Sequence, residues 1–184
     1  MAYRNGTYIA FHAEGSTDPT ASDIKYYRML KAWHANDGVE FRFVNSHEKV
    51  AAVRDSSQAA TIKRSLRARL DNSKNMILII GKRTKYDTDF VPYEIAYAVD
   101  TCGIPIIATY VGYDGVTEPA ALRKLWPPVL AARIDDGSAD VVHIPFKRGL
   151  IDNAMTRFTV NSPPDGPLVH YTVAGHRRYG ITWI

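Results

Sequence analysis

One glutamate carries most of the chemistry that this sequence offers. Glu94 lies in Thr88-Asp89-Phe90-Val91-Pro92-Tyr93-Glu94-Ile95-Ala96-Tyr97-Ala98-Val99-Asp100, a run that reads as the opening of a helix. Thr88 or Asp89 can cap it, Pro92 is tolerated in its first turn, and Val91, Ile95, Ala98, Val99 and Cys102 share a face at helical spacing. Glu94 falls off that stripe and near the helix's positive end, where backbone dipoles favour an ionised carboxylate. It suits an anion held beside a ligand. The plain alternative is a solvent-facing glutamate that partners the dipole.

The elements that must position it follow from the apolar pattern. Thr7 to Phe11 reads as a short strand, followed by a loop of small and turn-forming residues, His12 to Pro19. A helix begins near Ser22 or Asp23, buries Tyr26, Met29, Leu30 and Trp33, and stops around Asn36-Asp37-Gly38; Val39 to Val44 is a second strand. The polar stretch from Asn45 to Ser57 is long enough to be a functional loop, and Gln58 to Leu70 is helical again, with Ile62, Leu66 and Leu70 spaced by four. Met76 to Ile80 is apolar at every position, as a central strand covered on both faces requires, and Ile104 to Tyr110 is a fourth strand of the same kind.

Beyond Tyr110 the pattern gives a helix in 120–132 interrupted by Trp126-Pro127-Pro128, a fifth strand from Asp140 to Phe146, and a helix in 147–160 with Leu150, Ile151, Ala154 and Phe158 on one face. In the tail, Tyr171, Val173, Tyr179, Ile181 and Trp183 point to strands packed on the body. The alternation implies an α/β three-layer sandwich of the flavodoxin-like kind, with a central, mainly parallel five-stranded sheet. Residues 1–146 form its main domain and 147–184 a C-terminal extension packed on the same domain.

Composition excludes several classes of function. A chain of 184 residues, 46% hydrophobic, can bury one sizeable core. Its 23 basic and 19 acidic side chains leave a net charge of +4, too mild to argue for nucleic acid. No apolar run resembles a signal peptide or a membrane span, and the lone Cys102 excludes an internal disulfide, so a cytoplasmic protein is expected. Six histidines and one cysteine show no metal-ligand spacing, so no metal is expected. Cys102, on the core-facing stripe, reads as a buried thiol.

Ligands of open parallel sheets bind at the carboxyl ends of the strands, where the strand order reverses. Three loops supply that edge here: 11–16, 45–55 and 81–94. Tyr8-Ile9-Ala10-Phe11-His12 resembles the opening strand of the TIR-like domains, most of all the ThsB-type TIR-like proteins of the bacterial Thoeris antiphage system. Thr88 to Ile95 resembles their helix bearing the catalytic glutamate. The resemblance covers residues 7 to about 113. Such domains usually place a serine six residues and a tryptophan four residues before the glutamate; this chain has Thr88, which keeps the hydroxyl, and Phe90, which keeps an aromatic wedge without the indole donor.

The resemblance implies an NAD nucleosidase or ADP-ribosyl cyclase. It would cleave the nicotinamide–ribose bond of NAD to give ADP-ribose, or a cyclised or conjugated signal for a separate effector. NAD is then substrate rather than cofactor, and a homo-oligomer is expected for activity, with no nucleic acid or membrane partner. The chemistry needs little. Nicotinamide leaves neutral, so no acid is required, and one carboxylate beside the anomeric carbon can serve as electrostatic partner, hydroxyl anchor or transient nucleophile. Glu94 takes that role. Ala13, Gly15 and Ser16 would let backbone amides approach phosphate or ribose, and Phe11, His12 and Tyr93 are candidate walls for the nicotinamide end. Thr88, Phe90, Asn45 and Ser46 complete the candidate substrate-binding set.

Each of these has a plainer use: His12 as a half-buried strand-end histidine, Gly15-Ser16 as a turn, and Asn45, Ser46 and Arg54 as caps of loop backbone. Two other functions fit the same features. One is a non-catalytic TIR-like assembly adaptor; the other is a nucleoside deoxyribosyltransferase-like enzyme, which also sets a glutamate on ribose.

Overall fold

A computed structural model describes residues 4–12, 23–35, 43–45 and 56–182. β3 (Ser73–Ile80) is the floor of the fold, because from Met76 to Ile80 its side chains alternate into two apolar layers. Met76, Leu78 and Ile80 enter one core, and Ile77 and Ile79 the other. β1 (Gly6–Ala10) and β4 (Ile106–Tyr110) pair with it on either side, all parallel. β2 (Phe43–Asn45) lies outside β1, and β5 (Val141–Pro145) outside β4. These are the five parallel strands expected from the sequence. A sixth, β6 (Val169–His170), adds two residues to the far edge, giving the order β2-β1-β3-β4-β5-β6.

Helices α2 (Ser56–Leu70), α3 (Phe90–Ala96) and α4 (Pro128–Asp135) cover one face, and α1 (Ile24–Ala35) and α5 (Arg148–Arg157) cover the other. β5 to β6 continues outward in the direction of β3 to β5 but travels over the α1 face. That crossover therefore has the opposite hand to the other four, an arrangement rare in parallel sheets. It holds only a two-residue strand.

Three elements differ from the sequence reading. The buried stripe of α1 is Tyr27, Leu30 and His34, while Tyr26 and Trp33 flank Phe146 at the rim and Met29 is exposed. The stripe is turned because His34 is held inside, bonded to the Leu30 carbonyl and to Asp152. The expected interrupted helix is two pieces, a 3₁₀ turn from Pro119 to Leu125 and then α4, divided at Trp126-Pro127. The tail beyond β6 is not strand but a short helix, α6 (Val173–Arg178), whose start is capped by Thr172 Oγ1 accepting from the Gly175 amide at 3.1 Å. Val173 is exposed, and Tyr171, His176 and Ile181 are the buried anchors. Trp183, the helix stop at 36–38 and the start of the second strand at 39–42 lie outside the described residues.

Candidate active site

The strand order reverses at β1, so the C-terminal ends of β1 and β3 flank the crevice where sheets of this kind take ligands. β1 delivers Phe11 and His12 to it. β3 delivers Gly81, a 3₁₀ turn (Thr84–Tyr86) and Asp87, and α1 opens beside them with Asp23.

Asp87 joins the two sides of the crevice. With an extended backbone (φ −64°, ψ 124°), it reaches forward so that Oδ1 accepts the amides of Asp89, Phe90 and Val91 at 2.9, 3.1 and 3.3 Å. Its Oδ2 lies 2.8 Å from His12 Nδ1. One carboxylate thus caps α3 and holds the histidine at the end of β1. The expected caps, Thr88 and Asp89, are both exposed, and Asp89 makes no side-chain cap bond. Asp87 caps from an extended backbone, whereas Asp89 has a helical one (φ −108°, ψ −79°).

Behind this pair is a second polar joint. Thr84 Oγ1 donates to Asp23 Oδ2 at 2.9 Å and accepts the Gly81 amide at 2.8 Å. Gly81 is required by contact rather than by conformation: a Cβ there would sit 2.3 Å from Asp23 Oδ1.

Glu94 is fully buried. The Tyr8 hydroxyl, rising from the middle of β1, donates to its Oε1 at 2.5 Å. This corrects the expectation that Glu94 stands off the buried stripe: Val91, Glu94 and Ile95 all face inward, because Tyr8 gives that part of the core a polar end able to receive a carboxylate. The helix then loosens into a π turn at Tyr97–Thr101 and ends at Gly103, whose φ of +59° suits glycine.

Residues 8–115 match the family model described as Thoeris protein ThsB, TIR-like domain. The chain belongs to that family. The match contains the crevice, Asp87 and Glu94, and the TIR-like domain so defined ends before β5; α4, α5, β6 and α6 lie outside it.

Within the TIR-like domain, the residues selected from the sequence go to different places. His12 meets Asp87, and Phe90 is half-buried against the core that also contains Tyr8. Phe11 is not brought to Glu94. Strand alternation sends it to the opposite face, where it stacks on Tyr27 with centroids 4.9 Å apart. Tyr93 also turns away, its hydroxyl accepting from Arg67 Nε of α2 and its ring lying under Lys63 Nζ at 5.0 Å. Thr88 is exposed. Asn45 pairs with Ile9 as part of β2. Ala13, Gly15, Ser16, Ser46 and Arg54 lie outside the described residues.

Sequence reasoning missed Tyr8, Asp87, Asp23 and Thr84. Tyr8 had a signal: a tyrosine alternating with apolar residues in a buried strand needs a partner for its hydroxyl. Cys102 is a buried thiol, pushed up to about 11 chiefly by burial and further by the neighbouring Asp71, which disqualifies it as a nucleophile at neutral pH. Among the described residues no group of three or more metal-capable side chains occurs, and no helix is long and apolar enough to cross a membrane.

Proposed function

We propose that this TIR-like protein of the Thoeris antiphage type cleaves the N-glycosidic bond between nicotinamide and ribose in NAD, making an ADP-ribose-derived signal for a separate effector. The observation that carries this reading is a carboxylate, Glu94, sequestered beside the switch-point crevice and held by Tyr8. A buried carboxylate is costly, and a fold retains one where its charge is used.

In the reaction the C1′–N bond breaks and its electron pair leaves with neutral nicotinamide. The positive charge that develops on the ribose faces Glu94, which stabilises it through space or by a transient bond. Water, or a hydroxyl or ring nitrogen of the same nucleotide, then adds at C1′ and loses its proton, giving a linear or cyclic product. Tyr8 orients the carboxylate, and the His12–Asp87 pair forms the wall between β1 and α3. Because Glu94 is covered in this state, the nucleotide must part the crevice to reach it. We assign that opening to assembly of copies of the chain.

The test is direct. Purified protein, alone and in assembled or trigger-exposed form, is incubated with NAD, and nicotinamide release is followed beside Glu94→Gln. Release by the wild type above the variant supports the reading; equal traces in every state refute it. One observation favours the adaptor reading: the complete burial of Glu94 also suits a purely structural pin to Tyr8. An adaptor keeps its biological function in Glu94→Gln.

A further inference from the structure

The C-terminal segment, outside the TIR-like match, builds a cavity of its own. It lies between α5, β6 and α6 and has a volume of about 410 Å³, within the range of small-molecule sites. Arg157 from the last turn of α5 and Arg178 from the last turn of α6 line it together with His170 of β6. Neither arginine pairs with a carboxylate among the described residues. The remaining wall is aromatic: Tyr171 and Tyr179 meet edge to face at 6.2 Å.

This wall is rigid. Tyr171 is buried, and its hydroxyl donates to Asn153 Oδ1 at 2.5 Å, tying β6 to α5. Arg157 rests on the Phe158 ring with its guanidinium carbon 5.1 Å from the centroid, which settles the side chain at the cavity rim. Two arginines and an aromatic wall lining one cavity suit a phosphate attached to a planar ring. A purely apolar ligand would leave both cations idle, and a bare inorganic anion would leave the rings uncovered.

We propose that this cavity binds a nucleotide, its phosphates between Arg157 and Arg178 and its base against Tyr179, the more exposed of the two tyrosines. Four inter-strand steps separate β1 from β6, roughly 19 Å at the usual strand spacing, so this is a second site and not a lobe of the Glu94 crevice. The inference stands whether or not Glu94 is catalytic.

ADP is the probe, because it has no nicotinamide–ribose bond to cleave. Calorimetric titration of the full chain gives saturable binding that weakens with ionic strength, while adenosine and inorganic phosphate each bind more weakly than ADP. Arg157→Gln and Arg178→Gln each weaken ADP by about tenfold, the loss expected for one charge-assisted contact. Arg177→Gln removes the same charge from the same helix outside the cavity wall and leaves affinity within about twofold, as does Glu94→Gln. All three arginines are exposed, so the variants fold. Absence of saturation by ADP, or an equal loss in Arg177→Gln, overturns the proposal, the second outcome by reducing it to diffuse attraction. Loss of ADP binding in Glu94→Gln also overturns it, by placing the nucleotide in the other crevice.

Discussion

Two strand tyrosines enter the same core from the same face of the sheet, Tyr8 from β1 and Tyr110 from β4, and they meet opposite kinds of partner. Tyr110 closes a network of neutral groups. The Pro167 carbonyl can only accept, so His143 Nε2–H donates to it at 2.9 Å; Nδ1 is then bare and accepts the Tyr110 hydroxyl at 2.7 Å. Trp126 Nε1–H completes the chain by donating to the Tyr110 oxygen at 2.6 Å. Every member has a neutral partner of the right sense, and ring stacking of Tyr110 and Trp126 on His143 adds to it. Tyr8 instead meets a carboxylate from a different element. The first arrangement explains itself as architecture: it fixes β4, β5 and the 3₁₀ turn before α4 against one another. The second places a carboxyl group in the core, which packing alone does not require.

The largest expected effect tests that contrast. Glu94→Gln keeps an oxygen to accept from Tyr8 but removes the negative charge, so nicotinamide release falls by roughly a hundredfold or more while the melting temperature moves little. A variant that loses stability and no activity would place both tyrosines in the same class.

The converse experiment is on His143. Replacing it by Leu strands the Tyr110 hydroxyl and the Pro167 carbonyl, at a cost of about 3 kcal/mol in urea unfolding, with activity per folded molecule unchanged. The pH dependence carries the same sign. Burial lowers the His143 pKa from 6.5 to about 4, so across that window the unfolded chain binds the proton more readily than the folded one. Stability from this group is complete above 6.5 and drains away as the pH falls towards 4, by an amount on the order of 3 kcal/mol. His143→Leu removes that part of the slope. A wild-type chain and variant with parallel pH profiles would mean that His143 is not held neutral in the fold.

The sequence was legible where a single physical demand dominated. Met76 to Ile80 and Ile106 to Tyr110 had to be central strands because nothing but burial on both faces uses such runs. It was illegible where several residues could meet one demand, as with Asp87, Thr88 and Asp89 competing for one helix start. It was also illegible where the partner is remote: Tyr8 and Glu94 stand 86 positions apart. The tail misled for a third reason. Tyr171, Val173, Tyr179 and Ile181 mimic a strand's alternation, but Thr172 caps a helix that turns His176 inward to accept the Val116 amide. The same limits apply to the candidate site, where Glu94 was readable from pattern but the burial that gives it meaning was not.

Phenylalanine at each tyrosine sharpens the comparison at smaller amplitude. Tyr110→Phe leaves the Trp126 donor and the His143 acceptor both without their partner, costing about 2 kcal/mol. Tyr8→Phe removes the hydroxyl that donates to Glu94 Oε1. Its signature is a fall in turnover that exceeds its effect on melting, since the carboxylate loses its orientation more than the core loses packing. Equal thermal shifts with unchanged turnover would make Tyr8 a second structural hydroxyl.

The smallest effect separates two jobs of one side chain. Asp87→Ala removes both the cap of α3 and the partner of His12, and costs about 1 kcal/mol of stability. Asp87→Asn keeps an oxygen for the helix amides but replaces the charged oxygen that faces Nδ1. If the His12–Asp87 link matters to the crevice, the Asn variant melts near the wild type and still turns over more slowly. If both variants lose stability alone, in proportion to the cap each retains, then Asp87 belongs with His143 as architecture, and the Glu94–Tyr8 joint is left for chemistry to explain.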